Sequence, residues 1–458
     1  MSVSGSLSPP QPPRHDVFLG QEWRHRYDRI RITRGSDGQA LELPCSSALT
    51  SLVDFNPRWW VDQITRTKGS SLFFVFMDSS NACTDACPSC WTMNKRRLEG
   101  FGVRMDKDVA LKRLGELKQR YPDTFQQIML CGSGEGIMPG VERLIDGVRD
   151  LGLAVHTYTA GKHLGRRTIR ESLLRAATQI RVSVDAVDED TYKITHAVGG
   201  FAERMDNLRR VVQEREATGS RALIGMSMVI QEANHDQIVP FAALARATGC
   251  DFAAIHQESY GTVNGRFTDT QARAIMADLQ QVETMADETF SLNLPQHARR
   301  HTVFVRRAGE MASVELMDRC RTSRQRPSFG SDTTYAACSV AGGHADYKRN
   351  SAVGSLRDDT TLDTLHTVID KGVGTALGRP SKLNCAACEL NPFNDFVDNV
   401  LGHLSDETDW DVELLPYAPR PADGYSLVLG SARPGDALAA GLDGRTEHRI
   451  QLPVVSVR

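Results

Sequence analysis

An apolar run that leads into three closely spaced cysteines constrains this chain more than any other feature. Leu72-Phe73-Phe74-Val75-Phe76-Met77 is followed by Cys83-Thr84-Asp85-Ala86-Cys87-Pro88-Ser89-Cys90, a C-x3-C-x2-C spacing. The run is short and rich in aromatics, which reads as a buried strand. The cysteines then lie on the loop leaving its C-terminal end. Three thiolates on one loop can hold three irons of a cubane iron–sulfur cluster. The fourth iron is left to chelate a small molecule, a position that a four-cysteine electron carrier does not offer. A zinc knuckle is the competing reading, but zinc usually takes four ligands in two pairs.

The spacing resembles that of the radical S-adenosylmethionine (SAM) superfamily. In that family the open iron binds the amino and carboxylate groups of SAM. One-electron reduction cleaves SAM to methionine and a 5′-deoxyadenosyl radical, which abstracts a hydrogen atom from substrate. The resemblance implies a SAM-binding [4Fe-4S] cluster on Cys83, Cys87 and Cys90, with a flavodoxin or ferredoxin as reductant. The family usually has an aromatic residue before the third cysteine, packed near the SAM adenine. Here Ser89 stands there, and Trp91 is the candidate replacement.

Composition narrows the rest. A chain of 458 residues has room for two or three domains. Net charge is −3 with no long run of one sign, so no nucleic-acid surface is expected. Ten cysteines are too few for a disulfide scaffold of this size, and they cluster as metal ligands do. Iron–sulfur chemistry and reduced thiols point to the cytoplasm. The first 18 residues are polar and proline-rich rather than signal-like, and no apolar run reaches membrane-spanning length.

From about residue 70 to 299 apolar strands alternate with amphipathic helices. Strands are expected at 71–77, 127–131, 153–159, 179–184, 222–230 and 252–256, and helices at 105–120, 141–151, 165–177, 200–217, 235–248 and 268–288. Six strand–helix units imply an α/β fold with a parallel sheet. The resemblance implies a partial (β/α)6 barrel, with functional groups at the C-terminal strand ends.

Those ends are informative. Gly132-Ser133-Gly134-Glu135 follows the second strand and is similar to the glycine–glycine–glutamate motif that holds the SAM amino group. Ser183 and Asp185 share a face of the fourth strand and match the ribose-contacting pair. Asn234, after the fifth strand, is a candidate contact to the carboxylate or ribose of SAM. His256, Glu258 and Tyr260 at the sixth strand end can move protons or bind hydroxyls and are the candidate catalytic residues; Glu258 and Tyr260 can equally anchor a loop. Lys95-Arg96-Arg97 is a candidate phosphate contact or a solvated basic segment.

After residue 300 the helical rhythm ends. Cys320, Cys338 and the pair Cys385 and Cys388 supply four thiolates, the complement of a fully ligated cubane. With the Gly354-Ser355-Leu356-Arg357-Asp358 segment, they resemble a twitch or SPASM-type auxiliary domain. This implies a small α+β domain at 300–404 holding a second [4Fe-4S] cluster; a structural zinc on the same residues stays open. No cysteine follows Cys388, so one auxiliary cluster is expected rather than two. Residues 1–69 form an N-terminal extension with a hairpin around Gly35-Ser36-Asp37-Gly38 and a short helix near Leu49 to Val61. It reads as an elaboration of the barrel or, less simply, as a peptide-recognition module with only one clear hairpin. Residues 405–458 are an acidic, then proline- and glycine-rich tail with two candidate edge strands, near 425–429 and 450–455.

The resemblance covers about residues 70–400 and implies an enzyme. With no full recognition module and one auxiliary cluster, the expected substrate is a small sugar, nucleoside or nucleotide in antibiotic or specialised metabolism. The expected outcome is oxidation or C–C ring closure by an oxidoreductase or lyase, with the auxiliary cluster as electron acceptor. The alternative is a maturase that crosslinks or modifies a ribosomal peptide or protein.

Overall fold

The computed structural model describes residues 17–18, 27–44, 55–90, 92, 100–131, 134–257, 267–294, 313–336, 352–380, 391–416, 426–428 and 454–456. The expected strands form β3 (Phe74–Met77), β4 (Gln127–Leu130), β5 (Ala154–Thr159), β6 (Ala177–Ser183), β7 (Leu223–Ile230) and β8 (Phe252–Gln257). Their crossovers are α2 (Lys107–Arg120), α3 (Glu142–Asp150), α4 (Arg167–Ala176), α5 (Glu189–His196), α6 (Phe201–Thr218) and α7 (Ile238–Ala247); α8 (Asp269–Glu283) follows β8. Local chemistry sets the helix starts. The Asp106 side chain accepts from the Val109 N–H at the head of α2, and Thr268 and Gln271 form a reciprocal capping box at α8.

The parallel sheet is larger than the six expected strands. β9 (Ser291–Asn293) pairs parallel with β8, and β10 (Ser328–Phe329) pairs parallel with β3 on the opposite flank. Beyond β10 lie β11 (Thr334–Ala336) and β12 (Ala352–Ser355), an antiparallel pair. The order is β12-β11-β10-β3-β4-β5-β6-β7-β8-β9, and among the described residues its two ends do not pair, which leaves the barrel open there. The region expected as a separate α+β domain thus shares the barrel's sheet. Its described helices are α9 (Val314–Asp318), α10 (Arg321–Gln325), α11 (Thr361–Lys371), α12 (Val373–Leu377) and α13 (Asn391–His403).

Strand alternation sorts the two faces of the sheet. Val75, Ile128, Leu130, Val155, Ile180, Val182, Ile224 and Ile255 pack outward on helix residues such as Leu114, Leu144, Leu173, Leu208 and Phe241. On the concave side Phe74, Met129 and Ala154 belong instead to a second cluster with Phe55, Trp60 and Phe393.

That second cluster joins the two ends of the chain. β1 (Tyr27–Arg34) and β2 (Ala40–Pro44) form the expected hairpin, but β1 also pairs antiparallel with β13 (Trp410–Pro416). The sequence reading missed β13: it lies in an acidic stretch, and its partner is remote, with Arg31 bonding Glu413 across 382 positions. Under the sheet lies α1 (Pro57–Thr67), which starts at an Asn56 cap with proline at its first position. Of the helix expected near Leu49 to Val61, residues 49–54 lie outside the described residues, and the described helix starts at Pro57 and runs on to Thr67. Its Trp60 stacks on Phe396 of α13 at 5.0 Å. In the tail, β14 (Ser426–Val428) pairs antiparallel with β15 (Val454–Ser456). Among the described residues no helix is long and apolar enough to cross a membrane.

Candidate functional site

The loop leaving β3 is bolted down before it reaches its first cysteine. The Asn81 side chain donates to the Gly100 carbonyl at 2.8 Å and accepts from the Val103 N–H at 2.8 Å. The Ser79 hydroxyl donates to the Gly136 carbonyl at 2.6 Å, and the Glu135 N–H donates to the Ala82 carbonyl at 2.7 Å. The turn after β4 is therefore stitched to the cysteine loop. Gly134 has to be glycine here: a Cβ would sit 2.4 Å from the Ala82 carbonyl oxygen and 2.5 Å from that of Ser80.

Cys83, Cys87 and Cys90 follow, each half-buried and unbridged. Burial pushes the Cys87 thiol well above its usual range, and the negative charges of Asp185, Asp85 and the other two cysteines push the same way. Three thiols gathered beside two buried carboxylates are the setting a cationic metal centre relieves, since it binds thiolates and offsets their repulsion. The donor set therefore fits the cluster inferred from the spacing. A second arrangement shares Cys87: its sulfur lies within 4.8 Å of ligand atoms of Asp85 and His196.

Those two residues belong to a buried wall behind the loop. Arg204 of α6 donates to Asp85 at 3.2 Å, with side-chain exposures of only 2% and 1%. The Tyr192 hydroxyl donates to the same carboxylate at 3.5 Å, and the Tyr192 ring stacks on His196 at 4.1 Å. The His196 carbonyl accepts from the Ala86 N–H at 3.0 Å, inside the cysteine motif. The His196 ring reaches the Asp185 carboxylate at 3.5 Å, and burial holds it below its usual pKa. Sequence reasoning missed Tyr192, His196 and Arg204 because α5 is an extra short helix between β6 and α6. The one available signal was the four-residue spacing of Tyr192 and His196, which puts both on one helix face.

The strand ends converge on this loop. Glu135 is fully buried and accepts from the Ala160 N–H at 2.9 Å and the Ile137 N–H at 3.3 Å. Burial raises its pKa, and these bonds oppose the rise. The Ser183 and Ser227 hydroxyls meet at 3.3 Å. Asp185 adopts a left-handed backbone (φ 53°), which costs a non-glycine residue about 1–3 kcal/mol. Its carboxylate accepts from the Val229 N–H at 2.6 Å, and burial raises its pKa. Asn234 is fully buried and serves as a turn clamp: its amide donates to the Asp185 and Val229 carbonyls, and its oxygen accepts from the Gln231 N–H. His256 is half-buried, in register with Val229.

Cys320 caps α10, its sulfur accepting from the Ser323 N–H at 3.4 Å. Beside it Val314, Glu315, Asp318, Arg319, Arg321 and Arg324 line an open cavity of about 590 Å³. Trp91, Gly132, Ser133, Glu258, Tyr260, Lys95, Arg96, Arg97, Cys338, Cys385 and Cys388 lie outside the described residues.

No protein-family model matches the sequence, and no curated protein does. Solved structures do. The chain is similar to Streptococcus suis SuiB bound to S-adenosylmethionine, at 12% identity and a TM-score of 0.50, over 83% of this chain and 94% of SuiB. It is similar to SuiB bound to the precursor peptide SuiA, at 13% identity and a TM-score of 0.49, over 72% of this chain and 73% of that one. It is also similar to anSMEcpe with bound AdoMet and the Cp18Cys peptide, at 11% identity and a TM-score of 0.45, over 70% and 87%. The SAM-bound SuiB likeness shows a shared fold, the open parallel barrel that the cysteine motif implied.

Proposed function

We propose that this chain is a radical SAM enzyme that modifies a peptide. The observation that carries the class is the placement of Cys83, Cys87 and Cys90. They sit on one anchored loop at the C-terminal mouth of an open parallel barrel, stitched to the Gly134-Glu135 turn of the next strand. When bound, a [4Fe-4S] cluster and SAM supply reductive cleavage of SAM and a hydrogen-abstracting 5′-deoxyadenosyl radical. Cys83, Cys87 and Cys90 would hold the cluster. Gly134, Glu135 and Ser183 would meet SAM. The wall of Asp85, Arg204, Tyr192 and His196 fixes the back of the loop and keeps water from it. Cys320 would contribute to the auxiliary cluster.

A peptide substrate is supported by the three-stranded sheet. The sugar or nucleotide reading leaned on the lack of a recognition module, and β13 weakens that ground. Among the described residues β2 pairs only with β1, so its outer edge can accept an added strand. Strand addition is a common way to bind an extended peptide. SuiB, which shares the fold, is known with a precursor peptide. The small-molecule alternative keeps the support of the polar strand ends, His256 and Ser183.

The test is anaerobic reconstitution with iron and sulfide, followed by reduction and measurement of 5′-deoxyadenosine. Peptide pools should raise it above the uncoupled background, and nucleotide–sugar pools should not. The reverse pattern would restore the small-molecule reading. The variant C87A should lose the cluster's absorbance and spin signals; a full cluster in C87A would remove the assignment of the loop.

A further inference from the structure

One buried charged side chain on the concave face of the sheet forms no ion pair among the described residues. Arg181 of β6 is only 9% exposed. Its guanidinium lies 4.7 Å from the centre of the Tyr158 ring, and Nη1 donates to the Tyr158 hydroxyl at 3.5 Å, the long limit of a hydrogen bond. Asp185 acts on the guanidinium at a distance, but that carboxylate is committed to the Val229 N–H and to His196.

The surroundings are built as a slot. Register places Tyr158, Arg181, Gly225 and Phe252 side by side across four strands. A Cβ on Gly225 would lie 2.3 Å from the Phe252 ring, so the glycine is what lets that ring lie over the sheet next to Arg181. Two residues further along β6 stands Ser183, whose hydroxyl meets Ser227 at the strand end. The guanidinium thus lies one step below the mouth that carries the cysteine loop. A second guanidinium, Arg326, lies 5.5 Å from the centre of the Phe74 ring, and both arginines act on Cys131, with Asp78 opposing them.

A buried charge that meets only an aromatic face and one long hydrogen bond is poorly compensated. Folding alone gives no reason for a fork of donors there, whereas an incoming anion does. We infer that Arg181, flanked by Tyr158 and Phe252, binds a carboxylate of the substrate on the concave face of the barrel. The inference rests on the peptide reading above. On that reading the anion is the side chain of an aspartate or glutamate, or a peptide C-terminus, since a guanidinium fork matches a carboxylate bidentately.

The test uses saturation-transfer NMR on the full chain with three probes. N-acetyl-glutamate N-methylamide carries a side-chain carboxylate, N-acetyl-glutamine a terminal one, and N-acetyl-glutamine N-methylamide neither. One acidic probe should bind about tenfold tighter than the neutral one, and which of the two does so names the source. R181Q should abolish that preference. R181K keeps the buried charge but not the fork, and should bind the preferred acid several-fold more weakly than the parent. Equal binding of acidic and neutral probes overturns the inference, as does a preference that survives R181Q. A parallel titration with SAM separates the remaining source: if saturating SAM displaces the acidic probe and R181Q weakens SAM about tenfold, the guanidinium serves SAM and the substrate assignment falls. If the chain binds no SAM but keeps an Arg181-dependent acid preference, the functional reading fails and the carboxylate site stands.

Discussion

Arg204 and Arg31 each reach a carboxylate, but from opposite environments. Arg204 meets Asp85 behind the cysteine loop, where both side chains are almost wholly out of water. Arg31 spans Glu42 of β2 and Glu413 of β13 on the open face of the three-stranded sheet, with 39% of its side chain exposed. The sheet's hold comes from its underside, where Ile30, Ile32, Leu43 and Val412 pack with Trp60, Phe393 and Phe396. In one region charge fixes geometry, and apolar area does so in the other. Ion pairs cost much to break only where water cannot replace the lost partner.

The comparison can be broken by unfolding measurements on the metal-free protein. R204M should lose about 3–5 kcal/mol of stability, because it strands the Asp85 carboxylate in a dry wall. The double variant D85N/R204M should recover a large part of that loss. A single-variant loss no larger than that of a surface pair would put the two regions in one class. On the sheet, I32A removes a fully buried side chain and should cost about 2–5 kcal/mol.

A half-buried contact falls between these extremes. The Tyr121 hydroxyl and His366 Nδ1 lie 2.8 Å apart, and burial holds His366 below its ordinary value of 6.5. The folded state therefore favours the neutral ring, and the unfolded chain takes up the proton first. This contribution is present above about pH 6.5 and is lost as pH falls through that value toward the lowered folded pKa. H366Q should flatten the fall in melting temperature between about pH 7 and pH 5. An unchanged pH profile would show that the site behaves like open surface.

The smallest effect should come from R31A, next to Ile32 on the same strand but on the other face. Its change in midpoint should be well below that of I32A and should shrink as salt is added. A change as large as that of I32A would mean that the exposed charges hold β2 and β13 to β1.

The cysteine loop and the six strand–helix units were legible because their signals are local. A thiol spacing, an apolar run and a helical period each lie within some twenty residues or fewer. Glu135 and Ser183 could be placed for the same reason: each stands at a readable strand end. Arg181 shares the Ser183 face by the same alternation, but nothing local to the strand shows what surrounds its guanidinium. The wall behind the loop was hidden because Asp85, Tyr192, His196 and Arg204 come from three separate elements.

What the sequence determined by itself was the cysteine loop and the parallel α/β layering, which follow from thiol spacing and short-range periodicity. The tertiary structure alone decided two things. It brought β13 to β1 from the other end of the chain, completing a sheet that the hairpin left unfinished. It also gave Asp85 a buried cationic partner, while among the described residues Arg181 meets only the Tyr158 ring and hydroxyl at close range. Both depend on long-range register and burial, and a charge's energy is set by what surrounds it in space rather than by its neighbours along the chain.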